Sequence, residues 1–144
     1  MTREQKYPNT RTFKFYNANP KNRFGGDCVV RAICTALNQS WEQTIREMTE
    51  LGIKYGYVLN DQSLFPKYLE SKGWKKMKQP RKDDGTKYTG KEFCRDEVQQ
   101  YPFNYPDRIV ANIGGHHTVA IVDGRVWDTW DSTDGCIGNY WVEG

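Results

Sequence analysis

The sequence predicts an α+β fold in which N-terminal helices, the first starting at Cys28, pack on a C-terminal antiparallel sheet. Three observations carry that expectation. Val29, Ala32, Ile33, Ala36 and Leu37 recur at helical spacing directly after Cys28. Ser40-Trp41-Glu42-Gln43 and Thr89-Gly90-Lys91-Glu92 have the form of capping boxes, which open helices. From Arg108 onward the pattern changes to strands, and Asp123-Gly124 between them suits a type I′ hairpin turn.

In chain order, residues 1–11 are polar and expected to be frayed, and Thr12–Tyr16 alternates like a short edge strand. A loop from Asn17 to Asn22 leads to Gly25-Gly26, a flexible entry turn, and to Asp27, which is placed to cap the helix beginning at Cys28 and ending near Asn38. A second helix starts after Ser40, with Gln43 expected to reach back to it. Its buried stripe is Trp41, Thr44, Ile45, Met48 and Leu51, and Gly56 closes it. A third runs over about 61–72 with Asn60 as cap, Pro66 kinking or delaying its start and Gly73 ending it. Trp74–Met77 is strand-like, 79–85 is a loop, and Thr89 opens a short helix to about Gln100 that buries Phe93 and Val98. Three or four strands fill the rest.

A chain of 144 residues has room for one domain. No apolar run is long enough to span a membrane and the start of the chain lacks a signal-peptide core, so the expectation is a cytoplasmic protein without a membrane partner. Cysteines 28, 34, 94 and 136 form no CxxC pair, which suggests neither a zinc site nor a redox motif, and no cofactor is expected. Lys72 to Lys91 is a basic stretch and the tail after Val122 is acidic. With a net charge of only +3, that reads as a solvated surface rather than a nucleic-acid groove.

The chemistry centres on Cys28. A helix N-terminus carries roughly half a positive charge, which favours the thiolate; the bland alternative is a buried core cysteine. The Asp123-Gly124 turn sets Val122 opposite Arg125, Ile121 opposite Val126, Ala120 opposite Trp127, Val119 opposite Asp128 and His117 opposite Trp130. His117 and Asp128 then share a face with Val119, Ile121 and Val126, the face expected to meet the Cys28 helix. Asp128 would orient the imidazole, whose other nitrogen faces Cys28. His116 with Asp131 is the competing pair on the other face. Adjacent histidines on a strand point apart, so they cannot chelate one ion together. Cys136 is a rival nucleophile without a helix start, and Cys94 reads as structural. Asn22, six residues before Cys28, could return its amide to the thiol as an oxyanion donor.

The block Gly26-Asp27-Cys28-Val29-Val30-Arg31-Ala32, with Gly114-Gly115-His116-His117 and Trp127-Asp128-Thr129-Trp130-Asp131, resembles the papain-like cysteine peptidase plan. It is similar in particular to small papain-like proteins of bacteriophages and Gram-positive bacteria. By position the resemblance implies Cys28 as nucleophile, His117 as base, Asp128 as the orienting residue and Asn22 in place of the usual oxyanion glutamine, with Val29 where an aromatic commonly stands. It implies a cysteine hydrolase or acyltransferase, a peptidase or isopeptidase acting on a protein or peptide. The alternatives are a phage-encoded protein that binds a host protein, supported by the basic 72–91 stretch, and a peptidoglycan amidase. A phage product would work in the host bacterial cytoplasm.

Overall fold

The computed structural model describes residues 1–94 and 106–144, and the molecule is a mixed α+β structure. Its elements are α1 (Arg3–Lys6), β1 (Phe13–Phe15), α2 (Cys28–Leu37), α3 (Trp41–Tyr55), α4 (Leu64–Ser71), β2 (Trp74–Met77) and α5 (Gly90–Phe93). The strands β3 (Arg108–Ile113), β4 (His117–Val122), β5 (Arg125–Asp128) and β6 (Ile137–Glu143) follow. No helix among the described residues is long and apolar enough to cross a membrane.

The six strands form one sheet in the order β1-β5-β4-β3-β6-β2. The expectation of a purely antiparallel sheet is corrected at one edge: β1 runs parallel to β5, with Phe13 opposite Val126 and Phe15 opposite Asp128. The chain can do this because more than a hundred residues, helices included, separate the two strands, ample for the crossover that a parallel pair needs. The central hairpin has the expected register, Ala120 to Trp127, Ile121 to Val126 and Val122 to Arg125. Asp123 and Gly124 both take positive φ, 50° and 74°, as a type I′ turn requires.

Both faces of the sheet are covered. Val110, Ala120, Val122 and Trp141 point to the side where Val30, Ile33 and Ala36 of α2 pack with Met48, Leu64, Phe65 and Leu69 of α3 and α4. Ile109, Ala111, Ile113, Val119, Ile121, Val126 and Tyr140 point to the other, against Phe93 and Cys94. The expected assignment of faces is therefore reversed: α2 lies on the Ala120–Val122 side, and the Val119–Ile121 side meets α5. Apolarity could not discriminate, because a sheet covered on both sides carries apolar residues on both.

Several boundaries differ from expectation for local reasons. Residues 3–6 form a helical turn with a complete capping box at Thr2. Arg3 Nε donates to the Thr129 carbonyl at 2.7 Å, so this end of the chain is docked rather than frayed. Ser40 caps α3 by accepting from Gln43 N, but the Gln43 side chain turns forward to Glu47 at 3.2 Å instead of back. α4 begins at Leu64, with Ser63 and not Asn60 before it. Proline lacks the N–H that an interior turn needs, so the helix starts late enough to hold Pro66 in its first turn. The Thr89 capping box is complete. The expected continuation of that helix to Gln100, with Val98, lies outside the described residues.

Candidate active site

The site forms where β5 stops and β4 continues. β5 ends at Asp128 and pairs with β4 only over Ala120–Val122, which leaves the first residues of β4, His117 and Thr118, beyond their neighbour's end. α2 starts at the same end of the sheet and presents Cys28 there. The His117 side chain and the backbone N–H of Thr118 both act on the thiol and favour its thiolate form. His117 Nε2 is hydrogen-bonded to Asp128 Oδ2. The imidazole also lies against the Trp130 ring, with centroids 4.9 Å apart.

The structure thus brings Cys28, His117 and Asp128 together. It does so although α2 packs on the opposite face from Val119. At the end of a strand a side chain is reached around the sheet's margin, so strand alternation alone does not decide its partner.

The electrostatics of the three favour a charged pair. Burial pushes the Cys28 thiol up, but the His117 hydrogen bond and charge, the Thr118 N–H and the Arg31 charge outweigh it, and the thiol ends below its ordinary range. Burial alone would push His117 down. The hydrogen bonds to Asp128 and to Cys28 raise it instead, to about 9. Lowering of the thiol and raising of the imidazole both favour the thiolate–imidazolium form of the pair. The other thiols contrast with Cys28. Burial raises Cys34 to about 11 and Cys94 to about 12, which fits the structural reading of Cys94. Cys136 is exposed.

Asp27 stands at the N-cap position of α2, but its carboxylate does not fold over the first turn. Oδ2 accepts from Asn19 Nδ2 at 3.0 Å and from Trp41 Nε1 at 2.9 Å, while Oδ1 takes the Arg31 guanidinium at 2.9 Å. This corrects the capping expectation, and its consequence is chemical. The first-turn N–H groups have no side-chain cap, so the positive end of α2 and the Cys28 N–H remain available to a developing oxyanion.

Asn22 is not gathered into the cluster by any described contact. It is exposed, takes a left-handed φ of 55°, and accepts from Asn17 Nδ2 at 3.2 Å through its own Oδ1. The turn from Asn19 to Asn22 directs it outward, and Asn19 is the loop residue that turns in. The competing pair does not form among the described contacts either. His116 is exposed, and Asp131 Oδ1 accepts from Thr133 N at 3.0 Å and Thr133 Oγ1 at 2.5 Å, closing a turn of its own.

Sequence reasoning missed Asn19, Arg31, Trp41 and Thr129, which hold the site's carboxylates. The available signal was a charged residue at position 31 on the otherwise apolar face of α2.

A cleft of about 440 Å³ opens beside Cys28 on the helix side of the sheet. Val29, Ile45, Leu59 and Phe65 wall it, and Thr118, Asn112, Asn139 and Trp141 floor it. This is within the roughly 300–1,000 Å³ typical of small-ligand pockets. A larger cleft, about 560 Å³, lies toward the other end of α2 between Tyr16, Trp41, Arg108 and Trp127 and does not reach Cys28. Among the described residues no group of three or more His, Cys, Asp and Glu side chains could hold a metal ion.

Comparison with described protein families, with curated proteins and with solved structures finds no match, so the site is read from its own geometry.

Proposed function

We propose that the protein is a papain-like cysteine hydrolase or acyltransferase, with a peptide or isopeptide bond as its target. The observation that carries this reading is the grouping of Cys28, His117 and Asp128 at a helix N-terminus, with His117 hydrogen-bonded to Asp128 and Cys28 lining a cleft. In the proposed reaction the Cys28 thiolate attacks the substrate carbonyl, and the Cys28 N–H at the uncapped end of α2 stabilises the oxyanion. The His117 imidazolium protonates the leaving amine, giving a thioester to Cys28. His117, now neutral, takes a proton from water or from an acceptor amine as that nucleophile attacks the thioester, and the thiolate is released. Asp128 holds the imidazole throughout.

The test is exposure of the native protein to a limiting amount of a cysteine-directed electrophile, followed by incubation of untreated protein and Cys28→Ala with a diverse peptide mixture. The reading expects labelling of Cys28 well ahead of Cys34, Cys94 and Cys136, and cleavage or transfer products that disappear in Cys28→Ala. Equal labelling of Cys28 and Cys136, with no Cys28-dependent products, overturns it.

A further inference from the structure

Arg31 is the single charged residue of α2 and lies one turn beyond Cys28. Its side chain is only 8% exposed, yet every described contact of its guanidinium is with a group that frames the site. Nε donates to Asp27 Oδ1 at 2.9 Å; Nη1 donates to Asp128 Oδ1 at 3.0 Å and to Thr129 Oγ1 at 3.2 Å. Asp27 is itself pinned by Trp41 and Asn19, and Asp128 Oδ1 also accepts from Thr129 N at 2.7 Å. Buried ion pairs seldom add net stability over apolar packing, because desolvation consumes the Coulombic gain. They do impose a geometry, and a guanidinium does so best because its donors form a rigid planar fork.

We propose that Arg31 is the positioning residue of this site: it ties the helix that carries Cys28 to the strand end that carries Asp128, so that carboxylate, imidazole and sulfur stand in one fixed line. The inference rests on the reading of Cys28 and His117 as a reactive pair. Asp128 receives His117 on Oδ2 and Arg31 on Oδ1, so the fork sets the angle from which the carboxylate meets the imidazole. The other end of the fork, on Asp27, fixes the residue directly before the nucleophile. A lysine in place of Arg31 keeps the charge but is a single point, and cannot hold both carboxylates in this plane. The charged and titratable groups around Cys28 are Arg31 and Asp27 on its own segment, His117 and His116 at the start of β4, and Asp61 and Lys76 across the cleft. Of these, Arg31 is the group that ties Asp27 to Asp128.

The experiment measures the pH dependence of Cys28 alkylation by iodoacetamide, with the site read by peptide mass. It compares the wild type with Arg31→Lys, Arg31→Met and Thr129→Val, and follows the thermal unfolding of each. In the wild type, Cys28 should alkylate with an inflection below the ordinary thiol range. Both Arg31 variants should move that inflection upward by about one pH unit or more, which lowers the alkylation rate at pH 6 about tenfold. Thr129→Val, which takes one partner from the fork without changing any charge, should shift it the same way by less, and it carries the test if the Arg31 variants fail to fold.

A wild-type profile in Arg31→Lys would show that charge alone suffices and overturn the positioning role. So would variants that lose heat stability with an unmoved inflection, or an unmoved inflection in Thr129→Val. An ordinary thiol profile in the wild type would overturn the reading of the pair itself, and the role of Arg31 with it, before any substitution is considered.

Discussion

His117 meets Asp128 through Nε2, and this leaves Nδ1 as the nitrogen on the Cys28 side. The imidazole is thereby used at both ends, and the tautomer of its neutral form is fixed by the carboxylate. His116, one residue earlier, is exposed and has neither partner among the described contacts.

The two histidines should therefore separate in activity. Losing a general acid–base group costs about 10²- to 10⁴-fold in rate, so His117→Ala should abolish Cys28-dependent turnover while His116→Ala keeps most of it. Asp128→Ala should fall between, and Asp131→Ala should track His116→Ala. Steady-state kinetics on any substrate found by peptide screening checks the order, and a more damaging His116→Ala would sink the site assignment.

The pH profile follows from the same pair. Cys28 is held below its ordinary range and His117 is raised to about 9, so kcat/KM should be bell-shaped, with an alkaline limb near pH 9 as the imidazolium is lost. Stability should follow a related course. A histidine raised on folding contributes fully below its unfolded value, roughly pH 6.5, and the contribution disappears as pH rises through about 9. The thiolate runs the other way, its contribution being lost as pH falls through the lowered value. Urea melts of wild type and His117→Gln across pH 6 to 10 should show a smaller alkaline decline in the variant.

Asn22 points to solvent and takes a left-handed backbone, which glycine adopts without strain. Asn22→Gly should therefore keep turnover within a few-fold of wild type, far from the roughly 10²- to 10³-fold loss expected of an oxyanion donor. A hundredfold loss in kcat would return Asn22 to the site.

Gly52 tests the packing beneath α3. A Cβ there would lie 2.3 Å from the Tyr57 carbonyl oxygen, which is backbone and cannot swing away. Gly52→Ala gains about 1 kcal/mol of helix propensity. It should nevertheless destabilise the protein by about 1–3 kcal/mol through overpacking, visible as a lower Tm.

The local sequence was enough to place the start of α2 at Cys28, the Ser40 and Thr89 caps and the hairpin register, because each depends on residues within one or two turns. The His117–Asp128 pair followed from that register. What stayed hidden depends on tertiary covering. Val119 and Ala120 are both apolar because the sheet is sandwiched, so the pattern could not say which face takes α2. Asp27 looked like a cap since its rivals for that carboxylate, Trp41 and Arg31, are brought to it only by folding. Asn22 looked like an oxyanion donor by its distance in sequence, but a single left-handed residue turns it away.

The parallel pairing of β1 with β5 and the bridge from Arg31 to Asp128, 97 residues downstream, also order events during synthesis. The segment that becomes α2 is made before there is a sheet for it to lie on. His117, Asp128 and the strand beside β1 are all made more than eighty residues later. Until that hairpin arrives the thiol has no imidazole and no buried cation beside it, and it should react as an ordinary cysteine. A nascent chain would thus carry Cys28 at ordinary thiol reactivity, and the lowered thiol would arise only when the sheet joins the early and late parts of the fold.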